Sequence, residues 1–460
     1  MNSQRHRQIL RIALPSIVSN ITVPLLGMVD VAIVGHMGGA AYIGAVAVGS
    51  MVFNLIYWLF AFLRMGTSGM TAQGLGRRDM RSVGLALMRS LAVAMGIALL
   101  LIALQVPLRW TAFTVISPTA DVLPLATTYF SIVIWGSPAV LGLYSLSGWF
   151  VGMQNTRIPM YVSIFQNLVN IAASLILVYA AGMKTEGVAL GTVIAQYAGL
   201  LLAAALLQRY YSRLFPYFST DHVLSNLGDF LRVNRDIFLR TLCLVAVNLW
   251  FTTVGARQGA VVLSANTVLL QLYLFFSYFM DGFAYAGEAL CGRHYGARNP
   301  QAMRETLRHL FLWMTIVTTV FTLLYIIGGT SIVGMLTDEP DVRETTRRYI
   351  AWAWAVPAAG CLAFIWDGVF IGITETRGML LSSVASAAIF FTTYILFLPY
   401  PEVANHALWL SQIAYLMARG VLQTIWYTKK IEPKLRVMQT ANQHSRANER
   451  LKGEKVVKLS

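Results

Sequence analysis

The two halves of this chain align on one another at an offset of about 220 residues, a period far too long for a solenoid and long enough for a whole helical bundle. Val34-Gly35 falls on Val254-Gly255, Gly39-Ala40 on Gly259-Ala260, Ala45 on Ala265, and Gly76 and Arg78 on Gly296 and Arg298. After a one-residue slip near Pro138 and Pro357 the register continues. Gly148, Phe150, Gly152 and Thr156-Arg157 meet Gly368, Phe370, Gly372 and Thr376-Arg377. Such a chain has to fold as two related bodies, and internal duplication of this length is a habit of membrane transporters.

Apolar residues make up 57% of the chain and charged ones 12%, well below soluble usage, so most of the surface must face lipid. Twelve stretches are long enough to cross a bilayer core, which takes roughly 20 helical residues. They cover 9–35, 41–73, 82–107, 122–149, 158–181, 187–208, 234–254, 260–291, 304–330, 345–371, 379–398 and 403–428. The predicted fold is an all-α integral membrane protein with two six-helix lobes. An even number of helices per lobe gives both the same orientation, so the pseudo-twofold between them should run along the membrane normal. The expected organisation is an N-terminal lobe over 1–208, a cytoplasmic connector over 209–233, a C-terminal lobe over 234–428 and a basic cytoplasmic tail over 429–460.

With both termini in the cytoplasm, only Arg109, Lys184, Arg257, Arg343, Arg347 and Arg348 fall on outer loops or the outer ends of spans, and Arg64 and Arg419 deeper within spans. The remaining Lys and Arg lie on the cytoplasmic side, a strong positive-inside bias. The net charge of +15 therefore reads as topology and attraction to anionic lipid headgroups, and nucleic-acid binding is not expected. No apolar segment with a cleavage site precedes the first span, so no removed signal peptide is expected, and the location should be the inner (plasma) membrane. Cys243, Cys291 and Cys361 lie in apolar helices without metal-like spacing and read as small core residues. No buried Ser/His/Asp set, metal cluster or phosphate loop appears at a usable spacing, which argues against an enzyme, and no cofactor is expected.

A carboxylate inside a membrane helix costs about 2.5–3.5 kcal/mol even on lenient scales, so each one is a functional candidate. Asp30 stands in the apolar run of the first span, in the outer half of the bilayer. Pro15 and Pro24 precede it, each removing a backbone donor and making a bend cheap. In the fifth span Asn167, Asn170 and Ser174 share a face, and Asn170, Ser174 and Thr192 of the sixth span count to a depth similar to that of Asp30. They could form one buried polar cluster in the first lobe, although amides and hydroxyls also serve as plain glue between membrane helices. The second half carries Asp281 and Asp367, read as cavity residues, with Tyr129 and Tyr285 as further substrate-cavity candidates. Glu288 reads as an interfacial partner of Arg293, Arg64 as snorkelling, and His36 and His406 as solvated interface residues.

The run Pro15 to Gly35 with Asp30, the segment Gln73-Gly74-Leu75-Gly76, "GMQNTRIP" over 152–159 and "NLVNI" over 167–171 resemble the multidrug and toxic compound extrusion (MATE) transporters. "RDIFLR", "DGFAYAGEA" and "NHALWL" further resemble the DinF-type branch. The resemblance covers nearly the whole chain to about Tyr427. It implies two six-helix lobes around a V-shaped cavity, and export of cationic or amphipathic drugs against entering protons or sodium ions. Asp30 matches the proposed proton acceptor, Pro15 an upstream kink accompanying its protonation, and Asn170 and Thr192 its polar partners. Where the family often has a second Asp, four residues after Asn170, this chain has Ser174. One carboxylate makes a dehydrated sodium site less favourable than two would, so proton coupling through Asp30 is the expectation, with sodium coupling as the alternative. A flippase of lipid-linked precursors is a further alternative, but would call for a more basic cavity. The transporter is expected to act as a monomer.

Overall fold

The computed structural model describes residues 3–35, 39–218, 223 and 227–440, apart from the side chains of residues 3, 23–31 and 401. Fifteen α-helices follow one another: α1 (Ser3–Gly35), α2 (Ala40–Phe60), α3 (Phe62–Arg77), α4 (Met80–Ala103), α5 (Gln105–Ile116), α6 (Val122–Val133), α7 (Ser137–Gly152), α8 (Arg157–Leu175), α9 (Thr185–Tyr211), α10 (Leu227–Arg257), α11 (Ala260–Gly296), α12 (Pro300–Leu336), α13 (Pro340–Gly372), α14 (Thr376–Phe397) and α15 (Ala404–Trp426). The pairs α2/α3 and α6/α7 each form one long span, and α5 is a short extra helix. The twelve-span, all-helical architecture follows. Ten spans are long and apolar enough to cross a membrane by composition alone among the described residues. The other two are α1 and α15. In α1 the apolar run includes 23–31; α15 buries Asn405, Ser411, Gln412, Arg419 and Gln423, so its polarity faces protein rather than lipid. Large apolar side chains such as Leu201, Ile327 and Met335 are left exposed, as a lipid-facing surface requires.

The repeat is visible in the backbone itself. Arg78 and Arg298 take the left-handed conformation at φ 60° and 50°, and Gln154 and Thr374 do so at 63° and 54°. The following caps repeat as well. Asp79 and Asn299 each accept a backbone N–H three residues on, from Ser82 and Ala302, at 3.0 Å. Asn155 N–H donates to the Phe150 carbonyl and Glu375 N–H to that of Phe370, both at 2.9 Å, closing the same left-handed helix terminus twice.

Two contact units divide the described chain. One comprises Leu10–Ala72 and Asp79–Leu242; the other takes the described parts of Met1–Ile9, Gln73–Arg78 and Cys243–Ser460. The units are cut differently from the lobes expected over 1–208 and 234–428, for identifiable reasons. The end of α3 packs against the end of α11: a Cβ on Gly76 would lie 2.0 Å from the Arg293 carbonyl, and one on Gly296 would lie 2.2 Å from that of Gln73. Gln73 Nε2 also donates to the Gly372 carbonyl at 3.0 Å. The first turns of α1 join the same unit through Arg5, which meets His294 Nε2 at 3.2 Å and Glu305 at 3.5 Å. In the first unit the connector after α9 lies on α4, where a Cβ at Gly84 would meet the Tyr217 carbonyl at 2.4 Å. The beginning of the basic tail is helical through residue 440, because Ile431 and Leu435, one turn apart, are buried.

Each unit also holds a corresponding helix crossing pressed backbone to backbone. A Cβ on Gly148 of α7 would stand 2.2 Å from the Arg64 carbonyl, and one on Gly152 2.6 Å from that of Ser68. In the other unit Gly368 and Gly372 of α13 meet the carbonyls of Ala284 and Glu288 at 2.1 and 2.4 Å. Adding the repeat offset to Arg64 and Ser68 gives Ala284 and Glu288, so the crossing is one design used twice. A backbone carbonyl cannot yield as a side-chain tip can. Gly148→Ala and Gly368→Ala should therefore each lose about 1–3 kcal/mol of stability, whereas Gly96→Ala, with nothing within 4 Å of its added methyl, should be neutral or gain about 0.4–1 kcal/mol. Unfolding of the three purified variants in detergent checks this; equal behaviour of all three would remove the crossing as a structural constraint.

Candidate functional site

In the first unit α8 carries its polar residues along the face turned to α1 and α9. Near its N-terminal end Thr156 Oγ1 donates to the Ile12 carbonyl of α1 at 2.9 Å. Further along, Thr22 Oγ1 lies 3.0 Å from Ser163 Oγ, and Asn167 Nδ2 donates to the Thr22 carbonyl at 2.8 Å. Above these, Asn170 and Ser174 are fully buried. Asn170 Nδ2 donates to Thr192 Oγ1 of α9 at 3.2 Å, and Thr192 donates in turn to the Val188 carbonyl at 3.0 Å. Gly191 lets the helices close here, since a Cβ would fall 2.4 Å from Ser174 Oγ. Asn170 Oδ1 and Ser174 Oγ are buried without a hydrogen-bond partner among the described residues. The structure thus brings Asn170, Ser174 and Thr192 together. Asp30 lies in the helical backbone of α1, and its side chain is outside the described residues, as is His36.

Pro15 is half-buried within α1, which runs as one helix from Ser3 to Gly35. Tyr129 is 3% exposed, its ring packed over Gly49 and its hydroxyl 3.2 Å from Ser50 Oγ. It is a packed element of the α2–α6 contact.

In the second unit the carboxylates have separate fates. Asp367 is held by α15: Arg419 Nη2 donates to one carboxylate oxygen at 2.9 Å and Gln423 Nε2 to the other at 2.7 Å. Arg419 also lies over the rings of Tyr415 and Phe364 at 5.8 and 6.0 Å. Asp281 and Tyr285 of α11 are half-buried, one turn apart. Glu288, expected at the interface, is instead 1% exposed because the α11–α13 crossing closes over it. His406 accepts from Trp352 Nε1 at 3.0 Å, so it belongs to a local polar contact.

Sequence reasoning overlooked two features. Arg419 was visible as a charge inside a span, and an intramembrane cation calls for an intramembrane anion; Asp367 was the available partner. The second is a buried amide pair. Asn266 and Asn405 exchange hydrogen bonds at 2.7 and 3.1 Å, and Trp409 Nε1 donates to Asn266 Oδ1 at 2.8 Å. The segment "NHALWL" held both Asn405 and Trp409, and its role is to close this network.

A twelve-span duplicated helical chain with polar groups buried in its spans is the form of a secondary transporter, and comparison with known proteins decides which kind. The MatE family model matches residues 15–176 and 237–395, one segment in each half. The chain belongs to the MatE family. Among curated relatives of this MatE chain, DNA damage-inducible protein F of Escherichia coli is 36% identical over 90% of each chain. The probable multidrug resistance protein NorM of Acinetobacter baylyi is 23% identical over 90% of this chain and 94% of its own. A MATE protein solved in the bent conformation superposes with a TM-score of 0.83 at 17% identity, covering 95% of this chain and 97% of its own. A multidrug resistance MATE family transporter in an outward-facing conformation has the same score, identity and coverage. The MatE chain is a membrane transporter and not an enzyme.

The Asp367–Arg419–Gln423 group gives a stability prediction for this MatE chain. Removing one partner of a buried ion pair leaves an uncompensated charge and typically costs about 3–5 kcal/mol, whereas replacing both by apolar groups can be neutral. Asp367→Leu should lower stability by about that much, and Asp367→Leu with Arg419→Met should recover most of the loss. A double-mutant cycle on unfolding in detergent measures the coupling; a double variant no better than the single one would show that the pair is not the unit.

Proposed function

We propose that this protein is a multidrug efflux antiporter of the plasma membrane, with both termini cytoplasmic, in which a proton carried by Asp30 drives export of cationic or amphipathic small molecules. The supporting observation is the polar cluster of the first unit: Asn170 joined to Thr192, with the buried oxygens of Asn170 and Ser174 left for another group. Register brings Asp30 to that level. Thr22 of α1 is bonded to Ser163 and Asn167 of α8, and both helices run outward from the cytoplasm. Eight residues beyond Thr22, about 12 Å of rise, Asp30 falls opposite the stretch from Asn170 to Ser174. A protonated carboxyl there can donate to the vacant acceptors, and its ionised form can accept from Asn170 or Ser174. Its two protonation states therefore favour different side-chain arrangements.

Coupling needs only that proton and drug prefer different states of the lobe. Ionised Asp30 favours the drug-bound arrangement, and protonation from outside favours the arrangement that releases drug. In the second unit the Asp367 carboxylate is already bonded to Arg419 and Gln423. Asp281 and Tyr285 are the better candidates for substrate contact there.

Ethidium efflux from proteoliposomes under a pH gradient, and separately under a sodium gradient, tests the reading. Asp30→Asn should fold, retain Asn170–Thr192 packing and lose pH-driven transport. Transport in that variant at the wild-type rate would sink the assignment, and sodium-driven transport that survives the substitution would move the coupling site away from Asp30.

A further inference from the structure

A crevice opens on the flank of the first unit. The end of α2 with α3, α4 and α10 encloses about 570 Å3, walled by Phe60, Phe62, Val93, Ile97, Leu231 and Phe238. Two arginines of α10, Arg232 and Arg235, also line it. Both are exposed. Arg235 holds the buried Asp236 at 3.0 Å, and Arg232 has no carboxylate partner among the described residues. The floor is shaped by Asn234, whose Nδ2 is tied to the Phe230 carbonyl at 2.8 Å and whose side chain lies against Gly66.

The lining of the crevice identifies the occupant. The arginines stand in the second and third turns of α10. Asn234 between them lies against Gly66, and the Phe238 ring meets that of Phe62 at 5.9 Å. Val93 and Ile97, one turn apart on α4, complete the apolar side. The crevice therefore sets a cationic mouth beside an apolar wall. Its mouth also meets the positive end of α10, which adds to the attraction for an anion. A soluble phosphate would use the mouth and leave the wall bare, and a neutral lipid would use the wall and leave Arg232 uncompensated. We infer that this crevice is a binding site for an anionic diacyl phospholipid of the inner leaflet, with the phosphate at Arg232 and Arg235 and an acyl chain against Val93, Ile97 and Phe238.

Native mass spectrometry of the detergent-solubilised full chain tests this with three probes: dioctanoyl phosphatidylglycerol, dioctanoyl phosphatidylcholine and inorganic phosphate. Wild type should hold one phosphatidylglycerol at least about tenfold more tightly than phosphatidylcholine, a difference of the size a charge-assisted contact gives, and excess phosphate should not displace it. Arg232→Gln with Arg235→Gln should remove the preference. Ile97→Trp, which fills the apolar side and keeps the charges, should weaken phosphatidylglycerol about tenfold, while Leu99→Trp on the exposed face of the same helix should not. Each variant is first checked for a single monodisperse species. Equal retention of the two lipids, displacement by phosphate, or an unchanged Ile97→Trp variant would each overturn the proposal, and none of them bears on Asp30.

Discussion

Helices immersed in lipid gain nothing from burying leucine against leucine, because the acyl chains they leave are just as apolar. What holds a pair together is contact close enough for dispersion forces and for polar groups to meet. In this protein that contact is made by glycines set four apart, Gly148 and Gly152 on Arg64 and Ser68, and Gly368 and Gly372 on Ala284 and Glu288. Each pair brings two backbones together along a full turn. The left-handed turns at Gln154 and Thr374 follow at once, so each crossing also fixes where the next helix begins.

On that shared frame the two halves carry different chemistry. The first holds neutral groups, Asn170, Ser174 and Thr192, with the oxygens of Asn170 and Ser174 unpartnered among the described residues. The second holds a carboxylate already neutralised by Arg419 and oriented by Gln423, and an amide pair closed on itself and on Trp409. Both groups keep buried atoms without a hydrogen bond among the described residues, Asn170 Oδ1 and Ser174 Oγ in the first and Arg419 Nε and Gln423 Oε1 in the second. The halves therefore differ in charge pairing, since the carboxylate of the second is bonded to a guanidinium.

The sequence made the frame legible because bilayer thickness leaves long apolar runs and close crossings leave glycines, and both survive in composition and spacing. It hid what depends on pairing across distance. Asp367 and its partner Arg419 are 52 residues apart, and neither has a counterpart in the first half. The α15 helix was legible as a span by its length, although its buried polar face lowers its hydropathy. Glu288 looked interfacial by position along α11, but burial there is set by Gly372 crossing above it. The helical start of the tail rests on just Ile431 and Leu435, too short a pattern to stand out among basic residues.

The bonds between α1 and its neighbours also bear on where that helix can bend. Two anchors hold it on the N-terminal side of Asp30, Thr156 on the Ile12 carbonyl and Asn167 on the Thr22 carbonyl. Bending at Pro15 lies between the anchors, so it must strain or break at least one of them. Bending at Pro24 lies beyond both, on the Asp30 side, and leaves them intact. Each such side-chain to backbone bond is worth about 0.5–1.5 kcal/mol, so a bend of α1 at Pro15 costs a bond that a bend at Pro24 does not.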